Sequence, residues 1–421
     1  MLDINLIRTN PDLIREGISL KKANPQLVDD FLVLDEEWRE LTTKLDNLRA
    51  EQNKLSSDRK IEEAKENKIK IKKAEDKLNE TEKRREEILY SLPNLPFDDV
   101  PVGKNESGNV VLREVGRKPE FDFEPKEHWQ IGEELDIIDI SRAAKVSGSR
   151  FNYLKGDLAL LEFALIQFTF SVLTDEKILK SVIKSANLDV ISTPFIPVIP
   201  PVLIKPDVLQ KMARLEPKEE RYYLEKDDMY LIGSAEHTLG SMHMEETFNE
   251  NRLPLRYVGF STSFRREAGS YGKDVKGILR VHQFDKIEME SFTTSEDSRK
   301  EQDFIVAIQE YLMKSLEIPY RVVNICTGDM GGPDARQIDI EAWMPGQDKY
   351  RETHTSDLNT DYQSRRLNIK VKRDNNKTEF VHMNDATAFA IGRMIIAIIE
   401  NYQQKDGTIL MPEVLQKYLN F

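Results

Sequence analysis

The 421-residue chain has a single cysteine, Cys326, so neither an internal disulfide nor a multi-cysteine zinc site can form. Its six histidines, at 128, 237, 243, 282, 354 and 382, include no HxxxH pair, and no zinc centre is expected. No apolar run reaches the roughly 18 residues that a membrane span needs. The opening stretch MLDINLIRTNPDLIREG carries acids and no separate apolar core, unlike a signal peptide. A cytoplasmic protein with no membrane partner is therefore expected. The chain also lacks GxxxxGK[ST] and GxGxxG, which excludes the usual Walker and dinucleotide-binding phosphate loops. With a net charge of −13 it has no general basic coat, so any contact with nucleic acid must come from local patches.

Two heptad seams stand out near the start. Leu34, Trp38, Leu41, Leu45, Leu48, Gln52 and Leu55 alternate spacings of four and three, and Ile71, Ala74, Leu78, Thr81, Arg85, Ile88 and Leu92 do the same. The residues SSD at 56–58 separate the seams and suit a turn. The pattern predicts an antiparallel helical hairpin over about 28–92, each arm roughly 40–50 Å long at ~1.5 Å per residue. Arg59, Lys60, Lys68, Lys70, Lys72, Lys73 and Lys77 cluster towards its tip. They suit either a solvated coiled-coil face or a grip on a phosphate backbone. The proline-rich PNLPFDDVPVG at 93–103 closes the arm as a linker. We therefore divide the chain into residues 1–102 and 103–421.

The second part reads as α+β with an antiparallel sheet. Helices are expected over 157–186 and 297–316, and strands over 253–265, 280–294, 336–343, 367–373 and 379–383. Alternation places Arg280, His282, Phe284, Lys286 and Glu288 on one strand face, where an aromatic ring stands between cations and a carboxylate. The preceding loop, FRREAGSYGKD at 264–274, holds Arg265, Arg266 and Glu267 before Gly269 and Gly272. It reads either as a solvated hairpin loop or as a loop shaped around a charged ligand. Arg393 sits in TAFAIGRMIIAIIENY, read as an apolar helix, where it requires a carboxylate partner or an anionic ligand. Glu236, Glu341 and Glu352 are candidate magnesium carboxylates, since a magnesium nucleotide needs only one or two.

These segments together resemble the seryl-tRNA synthetases, a class II aminoacyl-tRNA synthetase family. SRAAKVSGSRFNYLKGD at 141–157 is similar to the family's entry to the catalytic domain, and PVIPPVLI at 197–204 to class II motif 1 with Pro201 as its proline. FRREAGSYGKDVKGILRVHQFDKIE at 264–288 resembles motif 2, and AIGR at 390–393 with IIENYQQKDGTILMPEVL resembles motif 3 and the C-terminus. The resemblance implies a class II catalytic domain at 103–421 behind a tRNA-binding domain at 1–102. It implies a homodimer whose arm grips tRNA bound to the other subunit. Its substrates would be ATP, L-serine and tRNA-Ser, with tRNA-Sec where present, and Mg²⁺ would enter with ATP.

By the same resemblance, Arg265, Glu267 and Arg393 would be the catalytic residues. Arg265 would hold the α-phosphate and the serine carboxylate, and Glu267 would read the adenine amine. Phe284 would stack on adenine with Arg280 beside it, and Arg393 would take the γ-phosphate. Arg266, Val281 and the run Glu352, Thr353, His354 and Thr355 would complete the ATP site, with Glu352 and Thr355 towards Mg²⁺. Ser234, Ala235, Glu236, Arg265, Glu288, Asp385 and Thr387 would enclose serine. There are three departures from the family: Ser234 and Thr355 each exchange one hydroxyl residue for another, and Asn384-Asp385 stand where Leu-Asn is usual. Asp385 cannot donate as asparagine does unless protonated. A relative that loads a carrier protein would lack the long arm, and a non-enzymatic scaffold would have lost some of Arg265, Glu267, Phe284, Glu288, Glu352 or Arg393. The chain has all of them.

Overall fold

The computed structural model describes residues 1–268, 274 and 276–419. Gly269, Ser270, Gly272 and Lys273 of the charged loop lie outside the described residues. The chain forms two compact units, Met1–Pro96 and Phe97–Phe421.

In the first unit two short helices precede α1 (Gln26–Ser57) and α2 (Ile61–Ser91), which pair along the expected seam. Leu34, Leu41, Leu45 and Leu55 are buried against Ala74, Thr81, Arg85 and Leu89. The turn falls later than the SSD reading, at Asp58–Lys60, where Arg59 takes a left-handed backbone with φ 57°. Both helices run on until this reversal because nothing before it breaks the heptad. Midway along the seam, Asn67 donates from Nδ2 to the Leu48 carbonyl at 2.9 Å and to Gln52 Oε1 at 3.1 Å. Near the base, Asp35 is fully buried and accepts from Arg85 Nε at 2.9 Å and Arg8 Nε at 2.7 Å. The Arg85 guanidinium also lies 4.8 Å from the Trp38 ring centroid. An unpaired carboxylate there would cost several kcal/mol. Paired, its carboxyl lies below the usual range: burial pushes it up, and Arg8 and Arg85 more than reverse that.

The second unit is organised by an eight-stranded sheet. Its strands are β1 (Val110–Val115), β2 (Ile196–Val198), β3 (Leu255–Phe264), β4 (Gln283–Thr293), β5 (Tyr320–Asn324), β6 (Arg336–Met344), β7 (Lys349–Thr360) and β8 (His382–Ala390). The order is β1-β5-β6-β7-β8-β4-β3-β2, antiparallel throughout except for the β2–β3 pair at one edge. Helices α3 (Asp157–Leu173), α4 (Ser298–Ser315) and α5 (Ile391–Asn401) bury the apolar face of this sheet. Ile287 and Met289 of β4 point into that core, which leaves the opposite face for polar side chains.

Four sequence expectations need correction. The helix read over 157–186 is two helices, because Asp175 caps a second one at Glu176–Ala186. The strand read over 280–294 begins only at Gln283, so Arg280 and His282 belong to the approach loop. LNIKVKR supplies a strand only at Lys370–Lys372, in a separate three-stranded sheet, and Leu367 ends a helix. Residues 387–390 are the end of β8 rather than helix, and the helix begins at Ile391, so Arg393 lies in the first turn of α5. The run is apolar on both sides of the boundary at Ala390, and a short apolar run carries no period by which the two states could be told apart.

Two β-bulges shape the polar face. Along β8, Ile287 faces Phe389 and Glu288 faces Thr387, so Ala388 is an extra residue. Along β7, Ile340 faces His354 and Glu341 faces Glu352, so Thr353 is extra. Thr387 and Ala390, three apart, therefore both reach the polar side, as do Glu352 and Thr355.

Candidate active site

The polar face carries a cleft of about 560 Å³ lined from β4, β7, β8, the first turn of α5 and the loops around residues 214–221 and 265–281. Its axis follows β4. Phe284, Lys286 and Glu288 succeed one another from the loop end inward, about 6.6 Å per pair of residues.

At the loop end, Glu267 has a left-handed backbone with φ 51° and its carboxylate lies 3.3 Å from Arg280 Nη1. Arg280 also donates from Nε to Asp274 at 3.1 Å. Phe284 carries the Arg265 guanidinium 5.3 Å from its ring centroid. Arg393 Nη1 and the Glu352 carboxylate are 3.0 Å apart, and Thr355 donates to Glu352 at 3.3 Å. Burial opposes the charge on Glu352, but Arg393, Lys286 and Arg265 outweigh it and keep the carboxyl below its usual range.

Midway along the cleft, Arg265 donates from Nε to the Gly233 carbonyl at 3.1 Å. A Cβ on Gly233 would stand 2.7 Å from Arg221 Nη1 and 3.5 Å from Arg265 Nε, so glycine leaves room for two guanidinium groups there. Burial, then repulsion from Arg265 and Arg214, pushes Arg221 down to about 10. Arg221 Nε is buried without a hydrogen-bond partner among the described residues. Two crowded guanidinium groups sharing no carboxylate form an anion site in waiting.

Further in, Ser234 Oγ donates to Glu288 Oε1 at 2.6 Å and accepts from the Glu236 amide at 3.2 Å. Lys286 pairs with Glu288. Glu236 pairs with Arg214; burial pushes the Glu236 carboxyl up, but Arg214 and His237 hold it down at about 2. Arg214 is also within 3.7 Å of Asp334 and Asp357 and 3.6 Å of Asp385.

Most of the sequence candidates converge on this cleft. Arg265, Glu267, Arg280, Val281 and Phe284 line it, as do Glu236, Glu288, Glu352, Thr353, Thr355, Asp385, Thr387 and Arg393. Ser234 stands just behind Glu288, and Ala235 is buried in a small apolar cluster. His354 is buried, with its ring 5.4 Å from that of Phe389. Arg266 donates to the Arg221 carbonyl at 2.8 Å and rests on Tyr222, outside the cleft. Glu341 is paired with Arg321. Arg214, Arg221 and Asp357 were not legible as site residues, because no motif or periodicity marks them and only the path of the 205–224 segment brings the arginines in.

Comparison with known proteins decides what this cleft belongs to. Residues 1–96 match the seryl-tRNA synthetase N-terminal domain and 220–402 the class II tRNA synthetase core domain (G, H, P, S and T). The chain is 39% identical to the serine–tRNA ligase of Thermosipho africanus over all of its own length and 98% of that protein. The chain belongs to the seryl-tRNA synthetase family. It is 41% identical to the serine–tRNA ligase of Acidothermus cellulolyticus, again over its full length and 98% of the relative. Among solved structures, the seryl-tRNA synthetase of Pyrococcus horikoshii complexed with ATP superposes with a TM-score of 0.88 at 39% identity, covering 100% of this chain and 98% of that one. The cytoplasmic serine–tRNA ligase of Naegleria fowleri in complex with AMP gives 0.84 at 34%, covering 100% and 97%.

Proposed function

We infer that the chain is a serine–tRNA ligase. It activates L-serine with ATP and transfers the seryl group to the 3′ end of tRNA-Ser. The observation that carries the reading is the pair Arg221 and Arg265, set between an aromatic platform at Phe284 and a carboxylate end at Glu288 and Glu236. That sequence of environments matches the parts of an aminoacyl-adenylate: base, phosphate, ammonium group.

Adenine stacks on Phe284 against Arg280, with Glu267 accepting from its exocyclic amine. Arg265 holds the α-phosphate and the serine carboxylate together. One carboxylate oxygen attacks the α-phosphorus, the bond to the bridging oxygen of the β-phosphate breaks, and pyrophosphate leaves with the electron pair. The terminal ribose hydroxyl of tRNA then attacks the seryl carbonyl, gives up its proton, and AMP departs. Positioning and neutralisation of phosphate charge supply most of the rate. Arg393 takes the γ-phosphate, which accounts for its cleft-facing place in the first turn of α5. Ser234, Glu288 and Thr387 surround the serine hydroxyl and ammonium group. Arg266 and the backbone at Val281 and Thr353 form the rim, with His354 and Ala235 as packing behind it.

Among the described residues no three His, Cys, Asp or Glu side chains converge as a metal cage. Glu352 with the Thr355 hydroxyl offers the one or two oxygens suited to an Mg²⁺ that arrives on ATP, where phosphates and water complete the shell. Bound there, the ion would neutralise phosphate charge.

A homodimer is read from the exposed apolar side chains at β2: Ile199 is 88% exposed, with Ile196 and Leu203 exposed beside it in sequence. The arm is read as the cross-subunit grip on tRNA. Lys68, Lys70, Lys72 and Lys73 are exposed and form no ion pair among the described residues, whereas Lys65 and Lys77 pair with Glu62 and Glu37. Among the described residues no single helix is long and apolar enough to cross a membrane, and a cytoplasmic location goes with ATP and tRNA as substrates. Serine-dependent ATP–pyrophosphate exchange, followed by transfer of labelled serine to tRNA-Ser, tests the assignment. Exchange with another amino acid and none with serine overturns it.

A further inference from the structure

Five carboxyls gather at the inner end of the cleft. Asp357, Asp385 and Glu290 stand directly opposite one another on β7, β8 and β4, one pleat repeat beyond Glu288 and Thr387. Like charges facing each other across a ladder destabilise it. Asp334 and Glu236 add two more carboxyls. Within this group Arg214 is shared by Glu236, Asp334, Asp357 and Asp385. Glu290 is fully buried, and neither carboxyl oxygen has a hydrogen-bond partner among the described residues.

Depth matters as much as charge. Along β4 the cleft runs from Phe284 through Lys286 to Glu288, and Arg214 meets Asp385 and Asp357 two residues further in. If adenine lies on Phe284 and the phosphate between Arg265 and Arg221, the amino-acid side chain points at Arg214. The inference rests on that assignment of the two ends.

We propose that Arg214 is a positioning and specificity residue for the amino acid: acting through Glu236 and Asp385, it forms a charged floor that fixes how long a side chain the cleft admits. Arg214 is not asked to touch the reacting atoms. It holds Glu236 in the charged form at the cleft wall, and it fills the space where a longer side chain would go. Asp385, pushed well above the usual carboxyl range chiefly by burial and then by Glu236, can keep a proton and so regain the donor that an asparagine would offer. Arg214 and Asp385 thus form one device, and changing one without the other unbalances it.

Exchange kinetics on the full chain test this, with wild type, Arg214→Gln, Arg214→Lys and the double variant Arg214→Gln/Asp385→Asn. Arg214→Gln is expected to raise the serine KM at least tenfold while the ATP KM stays within twofold. The double variant, whose amide at 385 donates at any pH, recovers most of the serine KM. Arg214→Lys keeps the cation and shortens the floor, so kcat/KM for homoserine relative to serine rises at least fivefold. It also serves as the folded variant should Arg214→Gln not fold. An unchanged serine KM in Arg214→Gln overturns the proposal, as does an unchanged homoserine-to-serine ratio in Arg214→Lys. A fall in Tm with serine and ATP KM rising together reduces Arg214 to a structural residue. Wild type without serine-dependent exchange overturns the assignment of the cleft and this proposal with it, whereas an active wild type with indifferent variants overturns this proposal alone.

Discussion

Arg393 Nη1 lies 3.0 Å from Glu352 Oε1 and 2.9 Å from the Glu352 carbonyl oxygen, tying the first turn of α5 to β7 across the mouth of the cleft. ATP must share or displace this contact. A hydrogen bond to a charged group contributes about 1.5–3 kcal/mol, and each ~1.4 kcal/mol is tenfold in affinity. Arg393→Ala should therefore raise the ATP KM in exchange by about 10- to 100-fold, with the serine KM changed less than threefold. A serine KM rising in step with that for ATP would remove the γ-phosphate assignment.

Arg265 touches both the Gly233 carbonyl and the face of Phe284. Loss of one preorganised donor at a developing charge costs on the order of 100- to 1000-fold in rate. Arg265→Ala is expected to lose at least that much exchange, while light scattering and thermal melting stay as in wild type. Near-normal exchange would sink the central role given to this residue.

Glu162 on α3 is pushed up to about 8 by burial and by its hydrogen bond with Asp285. The folded state therefore holds a proton that the unfolded chain releases above its pKa of about 4.3. The stability this gives is complete below about pH 4 and is lost as pH rises towards 8, because the unfolded state binds fewer protons in that window. Glu162→Gln should flatten the fall in unfolding free energy between pH 5 and 8 and leave the two proteins alike near pH 4. Parallel pH profiles in denaturant titrations would refute it.

Asp35 is the common partner of Arg8, Arg39 and Arg85 inside the helical hairpin unit. Removing one member of a buried ion pair costs about 3–5 kcal/mol. Asp35→Ala in the full chain should open an earlier helical melting transition by circular dichroism and weaken charging of tRNA-Ser. Serine-dependent exchange should persist; its loss would mean that the catalytic unit depends on the hairpin for its own fold.

How far the sequence foretold these features depended on whether a feature is local. The hairpin follows from two heptad seams, and even the polar residue Arg85 was placed on the seam by spacing alone. β3 and β4 follow from alternation to within a few residues at their ends. Glu352 was singled out as a carboxylate, but Thr355 beside it was recognisable only by resemblance, since residues three apart share a strand face only across a bulge, which alternation cannot foresee. Arg214 and Arg221 were missed for another reason: their partners lie on β7, β8 and the 265 loop, far away in sequence. TAFA was misread because strand and helix make the same demand, unbroken apolarity, of a fully buried segment.

The extra residues Thr353 and Ala388 work like shifts of reading frame within the pleat. Deleting Ala388 would leave Glu288 opposite Thr387 and only straighten the strand, whereas deleting Ala386, from the regular run beyond the bulge, would bring Asp385 opposite Met289 and turn its carboxyl towards the helices. A chain carrying the Ala386 deletion would keep its sheet order and lose the contact between Asp385 and Arg214 in one step. The face that each residue of β8 presents is therefore set by the length of the strand as much as by its side chains.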